Sequence, residues 1–289
     1  MPLLPKRIID SHVHFIHPER LEYPWMAEAP ELRRYFGPNE LQSAVGTLPV
    51  VDLVFMEVSA RPEQSLLEVE WVETLMREEP RLRALVAQAR LTDVKQRDRQ
   101  LDALGEHPTV RGIRDIIQWE APGYCCQPAY IEGAKIAAAR GLHLELCLFP
   151  TQLEDALALV KAVPDARFVL NHCAKPGIRT KAWQPWADRI AQIAAYPNLI
   201  CKISGLLTEA DHASWQPHDI LPYIHHVIEH FGTRRLMYGG DWPVLTLAGS
   251  YQQWFDVVAL AVTGWSQSEL DDFLYGNAAR FYQLERSSA

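Results

Sequence analysis

The chain lacks the features that would place it in or across a membrane. No apolar run reaches the ~18–20 residues needed to span a bilayer. The opening Met1-Pro2-Leu3-Leu4-Pro5-Lys6 is too short in apolar residues to read as a signal peptide. There is no Lys/Arg-rich tract, and the formal net charge is −8, which disfavours nucleic acid and anionic membranes as partners. No Cys-x-x-Cys pair occurs, which argues against a thiolate-type structural zinc site. The five cysteines are odd in number; Cys125 and Cys126 are adjacent, and Cys147, Cys173 and Cys201 lie in or beside apolar runs. That pattern fits reduced, buried thiols and a cytoplasmic location better than a disulfide framework. Also missing are G-x-G-x-x-G and a Walker A sequence, the phosphate cradles expected of an open doubly wound sheet.

What is present is a repeating alternation. Apolar runs at 7–11, 50–58, 82–89, 110–117, 142–149, 167–172, 199–204 and 235–241 read as strands buried on both faces. Between them lie helical patterns at 39–48 (with Asn39 as cap), 63–79 (stopped by Pro80), 94–106, 129–140 (closed by Gly141), 152–163, 183–195 and 219–231. Two more, at 251–262 and 266–282, close the chain. Alternating strands and helices imply a parallel sheet, and eight units imply a closed (β/α)8 TIM-like barrel with an extra C-terminal helix. The rival is the open doubly wound sheet. With 289 residues and no linker, one domain over 1–289 is the simplest division. Residues 17–26, rich in proline and aromatics, form a long loop without helical or strand period and are expected to wall a pocket.

In such a barrel the active site lies at the carboxyl ends of the strands. Side chains at i and i+2 of a strand point the same way, so His12 and His14 project together. The other strand ends offer Glu57, Arg114 and Asp115, Asn171 and His172, Lys202 and Ser204, and Asp241. His12, His14, His172 and Asp241 make a plausible set around one centre. Three neutral imidazoles and a carboxylate suit one divalent zinc or manganese ion. They equally suit a metal-free site, with histidines polarising a carbonyl and Asp241 deprotonating water. A helix cap is the rival role for Asp241. Arg114 and Lys202 are cations that need partners: a substrate oxygen, or Glu57 or Asp115 in a structural pair. Lys202 is also a candidate for Schiff-base chemistry. Trp25, Trp119, Tyr23 and Trp183 are loop aromatics, suited to stacking on a sugar face or to packing. The remaining histidines, 107, 143, 212, 218, 225, 226 and 230, fall away from the strand ends and read as structural or surface residues.

Several stretches together resemble a known family. They are Asp10-Ser11-His12-Val13-His14-Phe15, Tyr23-Pro24-Trp25, Gly112-Ile113-Arg114, Leu170-Asn171-His172-Cys173-Ala174-Lys175-Pro176, Lys202-Ile203-Ser204-Gly205 and Tyr238-Gly239-Gly240-Asp241-Trp242-Pro243. In this order they resemble the amidohydrolase superfamily, and within it the amidohydrolase-2 branch that includes sugar-lactone lactonases. The resemblance implies a distorted barrel and a hydrolase that opens the ring of a sugar-acid or related lactone in carbohydrate metabolism. It assigns His12, His14, His172 and Asp241 to the reacting centre, with Asp241 as general base. Arg114, Lys202, Glu57, Trp25 and Trp119 are then expected to bind substrate, Glu57 standing where relatives often have glutamine. The bridging lysine on strand four and the histidine on strand five of binuclear members are missing. That leaves one divalent ion, zinc first, or none. The rivals are a zinc-dependent decarboxylase or amide hydrolase on the same barrel, and a non-catalytic barrel used for binding. The expected partner is a small molecule, and a homo-oligomer stays open.

Overall fold

A computed structural model of the protein describes residues 5–284. Eight parallel strands follow one another in sheet order β1 to β8. They are β1 (Ile8–Val13), β2 (Val50–Met56), β3 (Leu82–Gln88), β4 (Val110–Arg114), β5 (His143–Leu146), β6 (Phe168–Leu170), β7 (Leu199–Ile203) and β8 (Leu236–Tyr238). The helices between them are α1 (Pro38–Val45), α2 (Ser65–Leu75), α3 (Arg97–Gly105), α4 (Pro128–Ala139), α5 (Leu153–Ala162), α6 (Trp186–Ile193) and α7 (Pro217–Phe231). After β8 come α8 (Tyr251–Ala261), α9 (Gln267–Asp271) and α10 (Asn277–Tyr282). The gap between β8 and β1 is bridged by His14 N–H to the Trp242 carbonyl (2.8 Å) and Asp241 N–H to the His12 carbonyl (2.8 Å). The result is a nearly closed (β/α)8 barrel.

Strand side chains alternate between two cores, as a period of two requires. Leu53, Phe55, Leu85, Ile113, Leu144, Leu146, Phe168, Leu170 and Cys201 face the helices. Ile9, Val54, Met56, Val86, Val169, Ile200 and Met237 fill the barrel interior. There they meet Ala278, Ala279 and Tyr282, so α10 stops the bottom of the barrel. Above this apolar layer the inward positions become polar, and the site stands on them.

The element ends differ from the sequence pattern for local reasons. Strands 110–117, 142–149 and 235–241 stop early, at Arg114, Leu146 and Tyr238, because the chain turns into the loops that build the mouth. α1 begins at Pro38, with Gly37 rather than Asn39 before it; Gly37 N–H donates to the Glu40 carboxylate at 3.0 Å. Proline at the first helical position loses no bond, since that N–H has no intrahelical partner. The expected single helix 266–282 is broken by a π-turn over Asp272–Gly276. Among the described residues, all five cysteines are free thiols, and no helix is long and apolar enough to cross a membrane.

Candidate active site

His12 and His14 face inward because β1 slips. Ile9 points into the barrel, so strict alternation would turn His12 outward. Between Asp10 and Val13, however, β1 advances three residues while β2 advances two, from Leu53 to Phe55. This bulge resets the phase. The neighbouring strand leaves room for it: a Cβ on Gly239 would stand 2.8 Å from His12 Cβ. Asp10 fixes the seam. Its carboxylate accepts Gly240 N–H (2.7 Å), His12 N–H (3.0 Å) and the Tyr251 hydroxyl (2.7 Å).

His172 and Asp241 arrive by left-handed backbone. Four consecutive residues, His172, Cys173, Ala174 and Lys175, have φ of 52°, 52°, 57° and 48°, and Asp241 has 59°. Side chains with a Cβ adopt this region at a cost, and such residues concentrate at functional sites. The turn carries both His172 and Lys175 to the mouth. The Trp186 indole N–H braces it from α6 by donating to the Cys173 carbonyl at 2.8 Å. At Gly205 (φ +63°) any Cβ would lie 2.4 Å from His172 Nδ1, so glycine is required there.

The four residues converge. Asp241 Oδ1 lies 3.3 Å from His14 Nε2, 3.6 Å from His12 Nε2 and 3.8 Å from His172 Nε2. His14 Nδ1 is 2.9 Å from the Met56 carbonyl, which only accepts. The hydrogen is therefore on Nδ1, and the Nε2 lone pair faces an Asp241 lone pair unless a cation or proton lies between. Among the described residues, neither ring nitrogen of buried His12 has a hydrogen-bond partner. His172 Nδ1 is anchored on Ser204 Oγ at 2.9 Å. Burial holds the His12 imidazole well below its ordinary value and lowers His172 to about 3, so both are neutral at pH 7. Burial also pushes the Asp241 carboxyl up. Proximity to the His172 and His14 imidazoles and to the Lys175 ammonium outweighs it and leaves Asp241 below its ordinary value. Neutral imidazoles with unused lone pairs beside a carboxylate fit one divalent ion. Donor atoms of His12, His14 and Asp241 lie within 4.8 Å of one another.

The set opens into a narrow cleft of about 90 Å³, whose walls include Trp25, Ser59, Arg114, Gln118, Trp119, Cys147, Lys175 and Val244. Trp25 is fixed by its indole N–H on the Val58 carbonyl at 2.8 Å. Trp119 is 58% exposed and stands at the rim. Arg114 lines the cleft, but two of its nitrogens are spent on Glu57: Nε to Oε1 at 2.5 Å and Nη2 to the backbone carbonyl at 2.6 Å.

Two residues expected to bind substrate do not reach the cleft. Lys202 is fully buried one layer below Ser204, with Nζ 2.7 and 2.9 Å from the Glu145 carboxylate. Enclosed and ion-paired, it has no access for Schiff-base chemistry either. Glu57 is fully buried behind Arg114 and acts as its counter-ion. Asp115 points away from Arg114 and accepts Leu91 N–H (2.9 Å) and the Tyr124 hydroxyl (3.0 Å). Trp183 packs on Trp186, Tyr223 and His226, and Tyr23 is buried; neither lines the cleft.

Lys175 and Cys147 line the cleft without having been singled out by sequence. Lys175 Nζ bonds Glu209 Oε1 at 2.9 Å. Burial alone would lower its ammonium, but the charges of Glu209, Cys147 and Asp241 raise it above its ordinary value. The signal for Lys175 was its place in the Asn171–Pro176 stretch, four residues after Asn171.

A family model described as amidohydrolase matches residues 9–284. The chain belongs to the amidohydrolase family. It is a hydrolase, as the motifs implied. It is 31% identical to an L-fucono-1,5-lactonase of Burkholderia ambifaria over 97% of each chain. An L-fucono-1,5-lactonase of Burkholderia multivorans is 29% identical over 96% of each. A crystal structure of an amidohydrolase from Burkholderia multivorans with bound zinc superposes with a TM-score of 0.86 at 27% identity, covering 96% of this chain and 99% of the other. That zinc-bound relative agrees with the donor set of the barrel mouth. In this hydrolase β4 ends on Arg114 and β5 runs into Cys147, so the positions of a bridging lysine and a fifth-strand histidine hold other side chains.

Proposed function

We propose that this hydrolase opens the ring ester of a sugar-acid or related small lactone by adding water. The observation that carries the reading is the buried Asp241 carboxylate, 3.3–3.8 Å from three imidazole nitrogens at the end of the cleft in the barrel mouth. The names of the two Burkholderia lactonases support the substrate class.

Each residue has a distinct task. Asp241, an anion with its backbone held by His12, takes a proton from water as the water oxygen bonds to the carbonyl carbon. His12, His14 and Asp241, with His172 facing the same carboxylate oxygen, would hold one divalent ion, zinc first, which would supply Lewis acidity toward the ester carbonyl. Without it, His172 presents an Nε2–H to the same oxygen, its Nδ1 accepting from the Ser204 hydroxyl. Lys175 has protons left beyond its bond to Glu209 and donates to the oxygen on which charge develops. Arg114, held by Glu57, keeps positive potential on the same wall. The ring C–O bond then breaks, and Asp241 returns its proton to the departing alkoxide. The product is one hydroxy acid, which ionises. Trp25 and Trp119 give the ring apolar faces to rest against.

The test is proton release from a panel of 1,4- and 1,5-sugar lactones, run before and after chelation and zinc re-addition. Turnover of at least one lactone is expected, with activity lost on chelation and restored by zinc. Turnover confined to amides or to carboxylate loss would move the chain to the rival activities, and full activity after complete metal removal would leave the metal-free mechanism.

A further inference from the structure

Away from the barrel mouth, a second group of metal-donor side chains converges on the outer wall. His226, Glu229 and His230 of α7 bring their donor atoms within 4.8 Å of one another. Residues at i, i+3 and i+4 share one helix face, so the spacing itself gathers them. Read from sequence alone, the two histidines are structural or surface residues.

The contacts say more. His226 Nε2 lies 2.9 Å from the Ala187 carbonyl of α6. A carbonyl only accepts, so the hydrogen is on Nε2 and the lone pair is on Nδ1. This is the arrangement in which metal-binding histidines are commonly held, one ring N–H on a carbonyl and the other nitrogen free. The ring is also fixed in place, with centroids 5.1 Å from Trp183 and 5.3 Å from Trp186. The His230 ring stands edge-on to it at 4.4 Å. Neither Glu229 nor His230 makes a side-chain hydrogen bond or ion pair with any described residue. Two imidazoles and a carboxylate at the surface leave coordination positions for water, and the donor types select zinc, copper or nickel over magnesium or calcium.

We propose that His226, Glu229 and His230 form a second transition-metal site on α7, independent of the barrel mouth. A metal held there would fix the His226 ring that bonds the Ala187 carbonyl of α6, and would stabilise the fold by binding the native state. Metal content measured on the whole protein then counts both sites.

The experiment is calorimetric titration of the chelator-stripped full chain with Zn²⁺, comparing the parent with His230→Ala. The variant should bind one equivalent fewer, with unchanged hydrolase activity and circular dichroism. This difference is expected whether or not the barrel mouth takes metal, so failure of the lactonase reading leaves it intact. A second arm, His12→Ala with His14→Ala, should keep the α7 equivalent. Equal stoichiometry in parent and His230→Ala would overturn the proposal. Should His230→Ala fail to fold, Glu229→Gln at an exposed position replaces it. Losing an outer partner of a metal ligand weakens binding about 10–100-fold, so losing a ligand should weaken Zn²⁺ here by about tenfold or more. An unchanged Zn²⁺ affinity in Glu229→Gln would equally overturn the site.

Discussion

Two clusters of buried charge stand in one barrel, a layer apart, built from the same kinds of group. In the lower one the Glu145 carboxylate accepts Lys202 (2.7 and 2.9 Å), Asn171 (2.5 Å) and the Tyr282 hydroxyl (2.5 Å), with His143 at 3.3 Å. In the upper one His12 has no hydrogen-bond partner among the described residues, while His14 and His172 each spend one nitrogen on an anchor and aim the other at Asp241. Burial pushes the Glu145 carboxyl up, yet the Lys202 charge and the His143 contact hold it well below the usual carboxylate range. Burial lowers the Lys202 ammonium to about 8 despite that partner. Among the described residues the lower cluster leaves a single atom, His143 Nδ1, without a partner, and its ion pair is fully buried, below the cleft. The upper one keeps lone pairs and an anion in reserve, at the end of the barrel where a cleft admits one. Satisfaction of hydrogen-bonding capacity, more than residue type, separates scaffold from chemistry here.

The sharpest way to break this comparison is to exchange the effects of one substitution in each cluster. Asp241→Asn keeps the shape and removes the base. Turnover should fall about 10³-fold, in line with the loss of a positioned general base, with the urea midpoint little changed. Turnover within a few-fold of the parent would remove Asp241 from the proton transfer. Lys202→Met should do the opposite. It leaves Glu145 buried without its cation, and removing one partner of such a pair typically costs about 3–5 kcal/mol. Adding Glu145→Leu to Lys202→Met should restore part of that loss, because no charge is then stranded. If Lys202→Met lowered turnover while leaving the urea midpoint alone, the lower cluster would belong to the site after all.

The barrel itself was legible because each strand is apolar on both faces and each helix intervenes in order. The spacing of His12 and His14 was legible too, since i and i+2 share a side in any strand. Their inward direction was not, because it depends on the slip between Asp10 and Val13, which no local pattern announces. Lys202 was placed at the mouth because sequence shows a strand's polar residues but not the layer each occupies. Ser204 takes the upper layer and Lys202 the one beneath. Lys175 was missed for the converse reason. It is on no strand, and only the left-handed run His172–Lys175 brings it to the cleft.

A smaller effect tests what the cation adds to a buried carboxylate. Asp115 receives neutral donors, Leu91 N–H and the Tyr124 hydroxyl, and burial raises it to about 6. Its folded value lies above the ordinary 3.8. Between those values the native state binds more protons than the unfolded one, so stability should fall as pH rises through that window. Two units correspond to about 2–3 kcal/mol. In Asp115→Asn that share of the slope between pH 4 and 6 should disappear, read by urea unfolding at a series of pH values. Parallel curves for parent and variant would show that Asp115 is ionised throughout, as Glu145 is.

The least effect expected concerns the cation that belongs to the mouth. Lys175→Gln keeps a donor but removes the charge. A hydrogen bond to a charged group is worth about 1.5–3 kcal/mol, and glutamine retains part of it, so kcat/KM should fall by about tenfold. Lys175 and Glu209 are mostly buried, at 17% and 16% side-chain exposure, but glutamine keeps a hydrogen bond to Glu209, so the melting temperature should fall modestly. Glu209→Gln frees the ammonium without removing it and should cost less than Lys175→Gln. If instead the two variants lost equal stability and kept equal turnover, Lys175 and Glu209 would form a second saturated pair like Lys202 and Glu145, and the unsaturated set would shrink to the three histidines and Asp241.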